Sequence, residues 1–115
     1  MCLTAATLGF AQVSGRSAAG QKPAPGSPPP TADSLEGKKL FIADCAACHY
    51  SSSRAKKIGP GLKDLSKRGK FSDGKPVDEA SLRAWIDRGG KNMPPFKDSL
   101  NAEQKRQLMA YLKTL

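Results

Sequence analysis

The chain contains a single histidine, His49, and that scarcity limits its chemistry. No second imidazole is available as an acid–base partner, and any metal bound through imidazole must use this residue. Cysteine is scarce as well: Cys45 and Cys48 form one close pair, and Cys2 is remote. A structural zinc site takes four ligands, and this donor set does not supply them. No segment alternates apolar and polar residues as a strand does. A thioredoxin-type redox pair, which follows a buried strand in a βαβ unit, therefore lacks its scaffold. Aromatic residues make up 6% of the chain and no nucleic-acid-binding motif is visible, so nucleic acid is not expected as a partner. There is no internal repeat, and no apolar run is long enough to span a bilayer.

The 115 residues that are present give room for one small domain, of which only 38% is hydrophobic. A domain of this size gains little from apolar burial alone and often depends on a crosslink, a metal or a cofactor. Charge is lopsided, with 19 Lys and Arg against 10 Asp and Glu, a net of +9. Nearly all of that excess lies from Ser34 onward. Such a surface steers acidic partners or meets an anionic membrane; charge alone does not choose between them.

One stretch gives the small core its cofactor. Cys45-Ala46-Ala47-Cys48-His49 is the C-x-x-C-H attachment sequence of a c-type haem. Each thiol adds to one haem vinyl group to form a thioether, and the adjacent imidazole then lies beneath the porphyrin, in reach of the iron. A covalently held haem brings a large apolar surface and two crosslinks, which suits the composition.

Residues 1–13 are uncharged, small and apolar, and are expected to be a secretory signal segment, although they lack a basic beginning. Export follows, to the periplasm or an equivalent compartment. Cys2 is a candidate lipid anchor if the true start lies upstream, and otherwise an incidental residue of the signal; a membrane tether through the N-terminus is one option. Residues 14–33 hold more than half of the nine prolines and have nothing to bury, so they are expected to form a semi-rigid linker. The folded domain is expected over 34–115.

Within that domain, Asp33 and Glu36 have capping-box spacing, and a first helix is expected to run from there through Ala43 into Ala46 and Ala47. Its Gly37 and Phe41 face invites close approach of another helix. After His49 the sequence becomes loop-like, with Ile58-Gly59-Pro60-Gly61-Leu62 reading as a fixed turn. The Pro60 region is a candidate source of a carbonyl that orients His49. Asp64 to Lys70 can hold a short helical turn. A second helix starts at Asp78, with Leu82, Trp85 and Ile86 on its packing face and Gly89 at its end. Trp85 is assigned to the core, with a contact at the haem edge as the alternative. A third helix starts at Asn101, with Gln104 at capping-box spacing, and runs through Lys113. Its stripe of Leu108, Tyr111, Leu112 and Leu115 leaves Met109 one position off, at the periphery.

Between the last two helices lies Asn92-Met93-Pro94-Pro95-Phe96. A haem iron in an electron carrier often pairs His with a methionine thioether, which raises its reduction potential. Met93 stands in a loop stiffened by two prolines, which fix φ and donate no hydrogen bond. It is the candidate second axial ligand.

Taken together, the Cys45–His49 sequence, the turn around Pro60, the Met93 strap and Tyr111-Leu112 resemble class I cytochrome c in its compact bacterial monohaem form. The resemblance covers residues 34–115. It implies an all-α fold of three main helices and loops around one haem c, with the first and last helices crossing so that Gly37 faces Tyr111. It also implies thioethers at Cys45 and Cys48, His49 and Met93 on the iron, and the Pro60 carbonyl on His49.

The expected function is exported single-electron transfer by a monomer, with no reaction of its own. Lys56, Lys57, Lys63, Lys91 and Lys97 flank the motifs and are expected to form a basic rim for redox partners with acidic docking surfaces. The alternative is a haem enzyme or sensor that binds peroxide or a small gas after losing the Met ligand.

Overall fold

A computed structural model describes residues 29–115; the signal segment, Cys2 and most of the linker lie outside the described residues. Three α-helices make the frame: α1, Ala32–Asp44; α2, Glu79–Arg88; and α3, Ala102–Leu112. A 3-10 turn, Leu65–Lys67, lies between the first two. Among the described residues there is no strand, only two isolated antiparallel bridges, Lys70 with Pro76 and Gly90 with Met93. The fold is all-α, as expected. No described helix is long and apolar enough to cross a membrane.

Both ends of α1 differ from expectation. Its N-cap is Thr31, in extended backbone, and the capping box pairs Thr31 with Ser34 rather than Asp33 with Glu36. The Thr31 hydroxyl accepts from the Ser34 N–H at 3.2 Å, and the Ser34 hydroxyl accepts from the Thr31 N–H at 2.8 Å. Asp33 falls instead in the first turn, where its carboxylate faces the positive end of the helix dipole and pairs with Arg106 of α3. Helix α1 thus starts at Ala32, within the range 14–33 expected of the linker. At the other end the helix stops at Asp44 and does not continue through Ala46 and Ala47. The Ala46 N–H reaches back five residues to the Phe41 carbonyl at 2.8 Å, and both the Cys48 and His49 N–H groups bond to the Cys45 carbonyl. The attachment sequence is therefore wound into turns that leave helix geometry.

The helix contacts centre on α3. A Cβ at Gly37 would lie 2.0 Å from the Gln107 carbonyl oxygen and 2.9 Å from the Tyr111 Cβ, so α1 and α3 cross with their backbones nearly touching. Phe41 packs against Tyr111 beside this crossing, ring centroids 5.4 Å apart. Met109 is only 3% exposed and belongs to the core, not the periphery. Its burial has a plain cause: α3 contacts both α1 and α2, so its apolar stripe must be wider than one partner would require. Ion pairs reinforce the arrangement, Lys105 with Asp87 at 2.7 Å and Lys113 with Glu79. The caps of α2 and α3 are as expected: Asp78 accepts from the Ser81 N–H at 2.7 Å, and Asn101 and Gln104 exchange both capping-box bonds.

Candidate functional site

The helices and loops close on a crevice of about 390 Å³. Phe41 and Leu112 line it from the α1–α3 crossing, and Leu82, Trp85 and Ile86 line it from α2. Cys45, Cys48 and His49 line it from the turn after α1, and Met93, Pro94 and Phe96 from the strap after α2. The structure thus brings all five sequence-predicted site residues, Pro60 among them, to one crevice.

The His49 side of that crevice is stitched together by backbone. The Gly59 N–H donates to the Cys48 carbonyl at 2.8 Å and the Leu62 N–H to the Tyr50 carbonyl at 2.7 Å. The loop passes so close to the imidazole that a Cβ at Gly59 would lie 2.4 Å from His49 Cε1. His49 Nδ1 is 2.8 Å from the Pro60 carbonyl oxygen. A carbonyl only accepts, so this bond fixes the proton on Nδ1 and leaves Nε2 with its lone pair. Lys57 is drawn into the same stitching. Its ammonium donates to the Ala46 carbonyl at 2.8 Å and stands 5.2 Å from the centre of the Tyr50 ring.

The thiols suit the same group. Burial, followed by the nearby Asp44 and Cys48 charges, pushes the Cys45 thiol up to about 11. That shift disfavours the thiolate which a zinc site requires. No cluster of three or more Cys, His or carboxylate side chains suited to a metal ion exists among the described residues. Two thiols, one oriented imidazole and largely apolar walls fit a haem held from its edge and from below.

On the strap, Gly89 ends α2 at φ 71°. A Cβ there would lie 2.4 Å from the Met93 carbonyl oxygen. Gly90 and Met93 exchange backbone hydrogen bonds at 2.9 and 3.3 Å, and the Phe96 N–H donates to the Ile86 carbonyl at 2.9 Å. Met93 is thereby held at the crevice by α2 on both sides of the turn.

Trp85 is half-buried and forms crevice wall rather than core, stacked on Phe71 at 5.9 Å. Sequence reasoning did not single out Phe71, Arg68 or Lys70, which also line the crevice. Arg68 is anchored by donation to the Gly61 and Lys63 carbonyls. No periodicity marks these loop residues; only the folding of the loop over α2 brings them inward.

An all-α fold closing on a crevice that carries C-x-x-C-H defines a haem c protein. A family model described as "Cytochrome C oxidase, cbb3-type, subunit III" matches residues 32–112. Cytochrome c6 of Nostoc sp. is 35% identical over 88 residues, covering 75% of this chain and 74% of that protein. Cytochrome c6 of Leptolyngbya boryana is 37% identical over 81 residues, covering 70% and 91%. A cytochrome bc1 complex cytochrome c subunit of Corynebacterium diphtheriae is 32% identical over 84 residues, covering 72% of this chain and 27% of that longer protein. The chain belongs to the class I c-type cytochromes. It carries covalently bound haem c and acts in electron transfer with redox partners.

Proposed function

We propose that this protein is an exported, monomeric carrier of single electrons whose haem iron is held by His49 on one side and Met93 on the other. Cys45 and Cys48 form the thioethers. The haem, when bound, supplies an iron that gains or loses one electron. The chain's own residues do the rest. His49 is oriented by donating from Nδ1 to Pro60, which leaves Nε2 for the iron; that 2.8 Å bond is the observation that carries the reading. Met93 offers its sulfur from a strap tied to α2. With His49 and Met93 both holding the iron, no position would remain for peroxide or a gas, which separates this reading from the enzyme or sensor alternative. A rim of Lys56, Lys57, Lys63, Lys91 and Lys97 attracts acidic redox proteins, with the exposed Ile58 as an apolar contact at the crevice. Export is supported by the uncharged, apolar residues 1–13.

The test is optical spectroscopy of protein matured in a host that attaches haem c. Sharp reduced bands that survive acid–acetone extraction, with a near-infrared sulfur-to-iron band lost in Met93→Ala, are expected. Covalent haem without that band would turn the reading to the ligand-binding alternative. Colourless protein would overturn it.

A further inference from the structure

The far side of Trp85 opens on a second concavity. Phe71 and Trp85, stacked with their planes 23° apart, line both the crevice and an outer groove of about 300 Å³. Ala80 and Ala84 of α2 keep the groove's wall low, and Lys75 and Arg88 line it with positive charge. The Arg88 guanidinium lies 5.3 Å from the centre of the Trp85 ring. None of the five rim lysines lines this groove.

Its charge is only partly answered from within the chain. Of the acids on α2, Glu79 is taken by Lys113 and Asp87 by Lys105, both on the side facing α3. Asp78 caps the helix through the Ser81 N–H. Among the described residues no carboxylate lies within ion-pair distance of Arg88. Lys75 has only Asp73, at 3.8 Å, in its own exposed loop. An aromatic floor flanked by one unpaired cation, Arg88, and one loosely paired in an exposed loop, Lys75, is complementary to carboxylates set around an apolar contact.

We propose that this groove is a docking surface for an acidic partner protein, whose carboxylates meet Lys75 and Arg88 while its contact face packs on Trp85 and Ala84. The proposal rests on the electron-carrier reading but adds a second face to it. A partner seated there is separated from the crevice by one aromatic layer, because Phe71 and Trp85 face both sides. Two such faces would let the protein meet its donor and acceptor on different surfaces.

Because the chain has one tryptophan, its indole N–H gives a single resonance that reports on the groove. Hexaglutamate is titrated into the ¹⁵N-labelled ferrous holoprotein at low ionic strength. The indole resonance is expected to shift. The apparent affinity should weaken about fivefold in Lys75→Gln and again in Arg88→Gln, as for a lost charge pair of about 1 kcal/mol. Added salt should erase the shift. Lys75 is in an exposed loop, so that variant carries the test even if Arg88→Gln folds poorly. An unmoved indole resonance, or an affinity unchanged in Lys75→Gln, overturns the proposal. So does a shift given by phosphatidylglycerol vesicles and not by hexaglutamate. Haem attachment and the sulfur-to-iron band are read separately, so failure of the docking surface and failure of the ligand assignment are told apart.

Discussion

Gly37 of α1 lies so near the backbone of α3 that a Cβ there would stand 2.0 Å from the Gln107 carbonyl oxygen. The obstacle is main chain, which cannot rotate away as a side-chain tip can. Gly37→Ala must therefore push the two helices apart or tilt them, and both responses loosen Phe41 against Tyr111. Overpacking of this kind costs about 2 to 3 kcal/mol. The expected result is a lower guanidinium midpoint for the holoprotein with an unchanged slope; wild-type stability would show that the crossing is not as close as described.

The Met93 strap invites a graded comparison. Met93→Ala removes the sulfur altogether, and the reduction potential should fall as a thioether ligand is lost. Gly89→Ala keeps the sulfur, but places a side chain at φ 71° and against the Met93 carbonyl. This variant should retain covalent haem while weakening the sulfur-to-iron band and lowering the pH at which the ligand is displaced. An intact band and unchanged displacement in Gly89→Ala would mean that α2 does not set the strap.

The loop across the imidazole can be probed at Gly59. A Cβ there meets the His49 ring at Cε1, so Gly59→Ala must turn the ring or move the Pro60 carbonyl. Weakening the Nδ1–H bond to Pro60 makes the imidazole a poorer donor to iron. The ferric paramagnetic NMR shifts of the His49 ring should change while the optical signature of covalent attachment stays. Unchanged ring shifts would show that the loop has slack.

Acid stability has an assignable contribution. The Lys113 hydrogen bond and charge hold the Glu79 carboxyl below its ordinary 4.5, as Arg54 holds Asp64 below its ordinary 3.8. A carboxylate depressed in the folded state adds stability that is fully present above its unfolded value and is lost as pH falls through the folded one. Stability should therefore decline from about pH 5 downward. In Glu79→Gln the decline should be shallower, because the variant already lacks at neutral pH the contribution that the wild type loses in acid, a small one since both groups are exposed. An equally steep acid limb in that variant would remove Glu79 from the account.

Salt dependence separates the lysines of the rim. Lys56 and Lys91 are exposed and enter no ion pair among the described residues, whereas the Lys57 ammonium is bound to the Ala46 carbonyl. Association with an acidic redox partner should slow as ionic strength rises. Lys56→Glu and Lys91→Glu should flatten that dependence. A rate independent of salt would dispose of the rim.

The local chemistry was legible from the chain alone. C-x-x-C-H names its cofactor because two thiols and an imidazole at that spacing serve one purpose. The Asp78 and Asn101 caps were readable because a cap is a contact within four residues. The α1 cap was misplaced because Asp33-x-x-Glu36 satisfies the capping pattern, whereas the pair the fold uses, Thr31 with Ser34, has a serine where that pattern has Glu or Gln. Asp33 pairs instead with Arg106, seventy-three residues away.

What the sequence by itself determined, then, is the cofactor, the helical class and the short-range hydrogen bonds that start α2 and α3. Tertiary structure alone decided what fills the space between helices. It buried Met109 because α3 has neighbours on two sides. It moved Trp85 from core to crevice wall, and laid Phe71, from a loop without pattern, against its ring. It bound Lys57 to the attachment turn. Periodicity records which side of a helix is apolar, but not how many partners that side meets or which loop folds over it. Those depend on contacts between residues far apart in the chain, and only the folded backbone brings them within reach.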